Sequence, residues 1–148
     1  MPSGFIHRSG PLTFKDRAST ASTAIARGDA LKTTSGRVLP LTTGTKCTGV
    51  SNGVKTSGDT AATAVEVLQI HHGRTLFQAY EKRASGSIAA TDQESLVDVS
   101  GATNAMGFDS SATTNLDIFV NTVLTVGAIN VGRCLISFAD PASIHGQN

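Results

Sequence analysis

The stretch "AIARGDALKTTSGRVLPLTTGTKCTGVSNG", residues 24–53, decides the fold class. Gly28-Asp29, Ser35-Gly36, Thr43-Gly44 and Asn52-Gly53 recur along it at short intervals. Glycine beside a small polar residue is the chemistry of a tight turn. Between these pairs lie ALKT, RVLPL and KCTGV, each about the length of a short strand. Pro40 has no N–H to give to a ladder, so it belongs at an edge or a strand end. The spacing predicts a meander of tight hairpins.

Composition agrees with that reading across the whole chain of 148 residues, a length that fits one domain with a sizeable core. Ser and Thr supply roughly a quarter of the residues, above ordinary globular usage. There are 15 Gly, no Trp and one Tyr, and aromatics make up 5%. The core must be built from Val, Ile, Leu, Ala and Phe, and β-branched and small polar residues favour short strands and turns.

Downstream, "ATAVEVLQIHHGRTLFQAYEKR" (residues 62–83) is the longest apolar stretch of the first half. Strand alternation puts Val65, Val67 and Gln69 on one face and Glu66, Leu68 and Ile70 on the other. The second arm runs from Thr75 to Lys82; a helix over 76–84 is an alternative, although Gly73 opposes one continuous helix. Adjacent strand residues point to opposite faces, so His71 and His72 are not placed to share one metal. With Gly73 next, they read as a turn with imidazoles on its rim. After a polar connection come a strand over Leu96–Val99, a long loop of small residues, a strand over Asn115–Leu124 with nearly continuous burial, and a last strand over Arg133–Phe138.

The ends read differently. In residues 1–22, Phe5, Ile6, Leu12 and Phe14 are scattered among Gly, Pro and charge without a period. This is either an extended N-terminal arm that packs on another chain or a partly disordered terminus. Residues 23–139 form the β-rich body, and 140–148 read as a mobile tail.

Twelve Lys and Arg against eleven Asp and Glu give a net charge of +1. A phosphate-binding surface needs a basic excess or stripe, so nucleic acid is not expected as a partner. No run approaches membrane-spanning length, and the expectation is a soluble protein made in the cytoplasm. Cys47 and Cys134 lie far apart, with no CxxC pair, and read as two buried thiols or as one bridge between the halves. No GxSxG, HExxH, Walker or EF-hand signature occurs. Asp92 with Glu94 and Asp109 with Asp117 read as solvated loop charges. No cofactor and no metal is expected.

The run from Ile25 to Val50 resembles the opening of bacteriophage head-decoration (capsid cement) proteins. The matching positions are Ile25, Gly28, Asp29, Ala30, Leu31, Gly36, Val38, Pro40, Gly49 and Val50. "SIAATDQESLVDVSG" and "NVGRCLISF" are similar to later parts of such proteins, so the resemblance touches about half the chain. It implies an all-β fold, a small barrel or β-tulip of short antiparallel strands with an extended N-terminal arm. It also implies a homotrimer on the outer surface of the virion, bound to the major capsid protein where subunits meet, with no catalytic residues. Phe5, Ile6, Leu12 and Phe14 are then the candidate capsid-binding anchors, and deleting residues 1–20 is expected to leave a folded body that no longer binds. A β-rich glycan-binding module is the alternative, although a chain without Trp lacks a usual sugar platform. A small enzyme comes third, and it would need a concave site with convergent polar groups.

Overall fold

The computed structural model describes residues 4–41, 46–56, 63–70, 74–82, 87–111 and 118–139. They form an all-β protein of antiparallel sheets. The first eight strands are β1 (Ile6–Ser9), β2 (Leu12–Ala18), β3 (Ala30–Thr34), β4 (Arg37–Pro40), β5 (Gly49–Ser51), β6 (Ala64–Ile70), β7 (Leu76–Tyr80) and β8 (Ser87–Ile88). A 3-10 turn over Ala90–Asp92 precedes β9 (Leu96–Ser100), β10 (Gly107–Asp109), β11 (Ile118–Thr125), β12 (Gly127–Ala128) and β13 (Arg133–Phe138).

One sheet has the order β1-β7-β13-β11-β9-β10, the other β2-β6-β5-β3-β4, and β12 pairs with β8 as a small ribbon. Both large sheets curl until non-neighbouring strands touch. Glu81, just past β7, bridges Phe108 of β10, and Ser19, just past β2, bridges Val38 of β4. Each contact is a single parallel bridge, extended by Lys82 N–H donating to Phe108 O (2.9 Å) and Thr20 N–H to Val38 O (3.0 Å). The sheets therefore approach barrels without closing, unlike the small barrel expected from the resemblance.

Of the meander of hairpins expected over residues 24–53, one hairpin forms among the described residues, β3–β4; β5 pairs with β3 and β6 and not with β4, so the strand order does not follow the chain. Ser35 and Gly36 have φ of +51° and +78° and join β3 to β4; positive φ at both central residues is the twist a two-residue hairpin requires. Pro40 ends β4, the edge strand of its sheet, where a missing donor costs no ladder bond.

Strand alternation explains two cores. Val65 and Val67 of β6 join Ile25, Leu31 and Val38 in a small cluster within the second sheet. Leu68 turns the other way, with Ala30 and Val50, into the main core shared with Phe77, Ala79, Val97, Val99, Phe108, Ile118, Val120, Cys134, Ile136 and Phe138. Apolar side chains are thus buried on both faces of the second sheet and on one face of the first, whose other face buries the polar Gln78, Asp98, Asp109 and Ser137. Leu76–Tyr80 is a strand, paired with β13 and β1, so the helix alternative over 76–84 does not hold for the described residues.

The N-terminal segment departs most from expectation. β2 pairs with β6 over seven consecutive positions, from Leu12↔Ile70 to Ala18↔Ala64, and β1 pairs with β7. Residues 4–18 are therefore edge strands of both sheets and not a free arm. Phe5 is 2% exposed and packs edge-on against Phe138 (centroids 4.8 Å), which in turn meets Phe77 (5.6 Å). The entry is fixed by backbone: Gly4 N–H donates to Met106 O and Phe5 N–H to Gly28 O, both at 2.8 Å. Gly4 and Gly28, at φ +82° and +89°, approach so closely that a Cβ on Gly4 would lie 3.1 Å from the Gly28 Cα. Residues 140–148 lie outside the described residues.

Candidate interaction surface

The four anchor candidates divide into two pairs. Phe5 is a core residue, and Leu12 is half-buried against the main core; neither is free to enter a pocket on another chain. Ile6 and Phe14 remain on the surface, Phe14 at 60% exposure. Phe14 faces Leu68 across the β2–β6 pair, and paired residues share a face. It therefore extends the apolar face of the sheet outward beyond the part that is covered. The two strands carrying the pair are held firmly. Thr75 Oγ1 donates to Pro11 O (2.6 Å) at the link between them, and Arg8 donates through Nη2 (2.8 Å) and Nε (3.2 Å) to Gln78 Oε1.

A second exposed apolar group lies at the end of the β11–β13 hairpin: Leu124, Val126, Ile129 and Val131. The sequence led us to expect near-continuous burial up to Leu124. Beyond Val120 no residue of β11 is fully buried, and Val123 packs against the main core only in part, because β11 pairs with β9 only through Ile118 and Phe119 and runs on past it.

An open cleft of about 630 Å³ lies between the two sheets. Leu39, Pro40, Leu41, Val99 and Met106 line it together with Ser22, Thr23 and Thr103. Two buried charges hold its walls. Lys55, 2% exposed, donates from Nζ to Thr20 O (3.0 Å) and Thr23 O (2.9 Å). Asp29, fully buried, accepts from Ala26 N–H and Asn104 N–H (both 2.9 Å) and from the Thr103 hydroxyl. Neither charge lines the cleft, so what the cleft offers is shape and hydroxyls, not an acid or a base.

Two further carboxylates hold local structure. Asp92 Oδ2 accepts from Ala89 N–H (2.7 Å) and caps the 3-10 turn. Asp109 is buried, not a solvated loop charge: it stands opposite Asp98 across β9–β10 and accepts from Ser111 N–H and Oγ. Asp117, His71 and His72 lie outside the described residues. Among the described residues no group of three His, Cys, Asp or Glu is placed to hold a metal ion. Cys47 and Cys134 are buried free thiols, so the bridge between the halves is not formed. Burial, with the charges of Asp92 and Glu81, pushes the Cys134 thiol up to about 12. Among the described residues no helix is long and apolar enough to cross a membrane.

Comparison with known protein families, with characterised proteins and with solved structures finds no match to this chain. The fold and surface define an all-β protein of two curled antiparallel sheets, with apolar side chains displayed on paired strands.

Proposed function

We propose that this chain is a capsid decoration protein. In this reading it binds the outer surface of a phage capsid as a homotrimer and stabilises the expanded shell by bridging neighbouring subunits of the major capsid protein. The observation that carries the reading is the exposure of Ile6 and Phe14 on hydrogen-bonded edge strands. Rigid apolar groups lose little freedom on docking, and aromatic and aliphatic anchors dominate interface energy. Edge strands, too, are surfaces that invite pairing with another chain. The resemblance over residues 25–50 supplies the class of partner. The mechanism is mass action: a ligand that binds only the expanded shell stabilises it, and many symmetry-related copies multiply a modest contact. No chemical step is involved.

The capsid contact is thereby narrowed from four residues to Ile6 and Phe14. The test is co-sedimentation with expanded phage heads of wild-type protein and of the I6D/F14D variant. Binding by the wild type and its loss in a variant with an unchanged melting temperature supports the reading. Equal binding by both removes the contact. A glycan-binding reading would instead place its ligand in the cleft, among Ser22, Thr23 and Thr103, and an A102W variant that blocks the cleft while leaving capsid binding intact separates the two.

A further inference from the structure

The face of the β2–β6 pair that displays Phe14 also displays two carboxylates. Its register runs Leu12↔Ile70, Phe14↔Leu68, Asp16↔Glu66, Ala18↔Ala64, since residues two apart on a strand share a face. Asp16 and Glu66 are both exposed and stand directly opposite one another. Like charges so placed, with Cβ atoms about 5 Å apart, destabilise the strands that carry them.

The fold does nothing to relieve this repulsion. Lys15 and Arg17, the cations of β2, pair with Val67 and Val65 and so belong to the opposite face. Among the described residues neither carboxylate has an ion-pair partner. Glu66 Oε1 accepts from Asn52 Nδ2 (2.5 Å), a neutral donor that orients the group and leaves its charge in place. The next pair along is Ala18 and Ala64, whose methyl groups leave the carboxylates open.

Charge and shape together select what covers this face. Phe14, at 60% exposure, lies two residues from Asp16, about 7 Å along the strand. The ring and the carboxylates are therefore within the span of one long cationic side chain. A guanidinium is planar, stacks on an aromatic ring and donates through a rigid fork to carboxylates. An ammonium has the charge but neither the plane nor the fork. Phosphates and anionic lipids are repelled by the pair. A metal ion needs more ligands, and among the described residues no group of three His, Cys, Asp or Glu is placed to hold one.

We infer that the Phe14–Asp16–Glu66 face receives an arginine of the partner protein, its guanidinium stacked on the Phe14 ring and donating to the two carboxylates. The inference deepens the capsid reading and rests on it for the identity of the partner: the surface of the major capsid protein that meets β2 presents an arginine. The free protein carries the repulsion of Asp16 and Glu66, and the bound guanidinium neutralises it.

The experiment has two arms. In the first, the isotope-labelled full chain is titrated by NMR with a blocked Ala-Arg-Ala tripeptide, with its lysine counterpart and with calcium chloride, at constant ionic strength. The arginine peptide should give saturable shifts at the Phe14 ring and at the Asp16 and Glu66 carboxyl carbons. A single side-chain contact places its Kd on the order of 10 mM, and the lysine peptide should bind several-fold more weakly. D16N/E66Q should weaken the arginine peptide by about fivefold or more, and F14L by about twofold. The melting temperature of D16N/E66Q should hold or rise because the opposed charges are gone, so lost binding there is not lost fold. In the second arm, expanded heads are sedimented with wild type, D16N/E66Q and I6D/F14D at about 50 and about 300 mM salt. D16N/E66Q should bind about tenfold more weakly at low salt and lose most of the salt dependence. No arginine-peptide shift at these groups, equal shifts in D16N/E66Q, or shifts with calcium alone overturn the inference. Heads that bind wild type and D16N/E66Q alike while rejecting I6D/F14D leave the Ile6/Phe14 contact standing and remove the arginine. Heads that bind no form of the protein remove the capsid reading, and the peptide arm by itself then supports or overturns the arginine face.

Discussion

Truncating Phe5 to alanine tests whether the N-terminal residues belong to the fold. Phe5 is 2% exposed and closes the core against Phe138, itself in edge contact with Phe77. Phe→Ala in a packed core costs about 3–5 kcal/mol, from lost transfer energy and the cavity left behind. The low part of that range, about 3 kcal/mol, is taken as the conservative figure. With a urea m-value of about 2 kcal/mol/M for a domain of this size, the midpoint should fall by about 1.5 M. Phe14→Ala, on the neighbouring strand but 60% exposed, should shift it by less than about 0.3 M. Urea titration followed by far-UV circular dichroism reads both. Equal small shifts would refute the reasoning and return residues 4–18 to the status of a detachable arm. The same logic reverses the expectation for deletion of residues 1–20: losing β1 and β2 removes an edge from each sheet and the Phe5 plug, so the remaining chain should fail to give a cooperative transition.

Asp29→Ala should destabilise by about 2–4 kcal/mol, since Ala26 N–H, Asn104 N–H and the Thr103 hydroxyl lose their acceptor; Asp29→Asn, which keeps an oxygen acceptor, should cost less, and denaturant melts compare them. Gly107→Ala should be severe, because a Cβ there would come 2.1 Å from Tyr80 O, whereas Gly36→Ala meets nothing within 4 Å and should cost only about 1 kcal/mol for its positive φ. The Cys134 thiol, raised from 9.0 to about 12, should resist alkylation in the native protein at pH 8 and react once urea unfolds the chain. Because its folded value lies above the unfolded one, the folded state holds the proton longer: the contribution to stability is complete below about pH 9 and is lost as pH rises toward about 12. Melting temperatures across that window check the sign; a rise with pH would contradict it.

Much of the fold could be read from the chain because its signals are local. Turn pairs such as Ser35-Gly36 carry their own backbone requirement, and Val65, Val67 and Leu68 carry strand alternation. The N-terminal strands were hidden for the opposite reason. The signal for Phe5 is a packing partner 133 positions away and a backbone approach of Gly4 to Gly28, neither of which has a sequence period. "GFIHRSG" reads as irregular because its strand is short and bulged between His7 and Ser9. At β11 the error ran the other way: "NLDIFVNTVL" looks uniformly buried, but burial depends on how far β9 reaches, and β9 stops pairing at Phe119. Asp109 reads as a loop charge until β10 sets it opposite Asp98. Among the candidate anchors, scattered apolar spacing could not separate the exposed Ile6 and Phe14 from the buried Phe5 and half-buried Leu12. The hairpin patch had a readable signal, fifteen residues without a charge, although their exposure became visible only in the fold.

The central claim is that this chain binds an expanded capsid through a displayed surface. The most direct measurement is titration of the protein onto purified expanded heads and, in parallel, onto unexpanded shells, with bound copies counted after pelleting. The account predicts saturable binding to expanded heads at a fixed number of copies per capsid subunit, and little to unexpanded shells. Failure to bind either, at concentrations where the protein is folded, would contradict it.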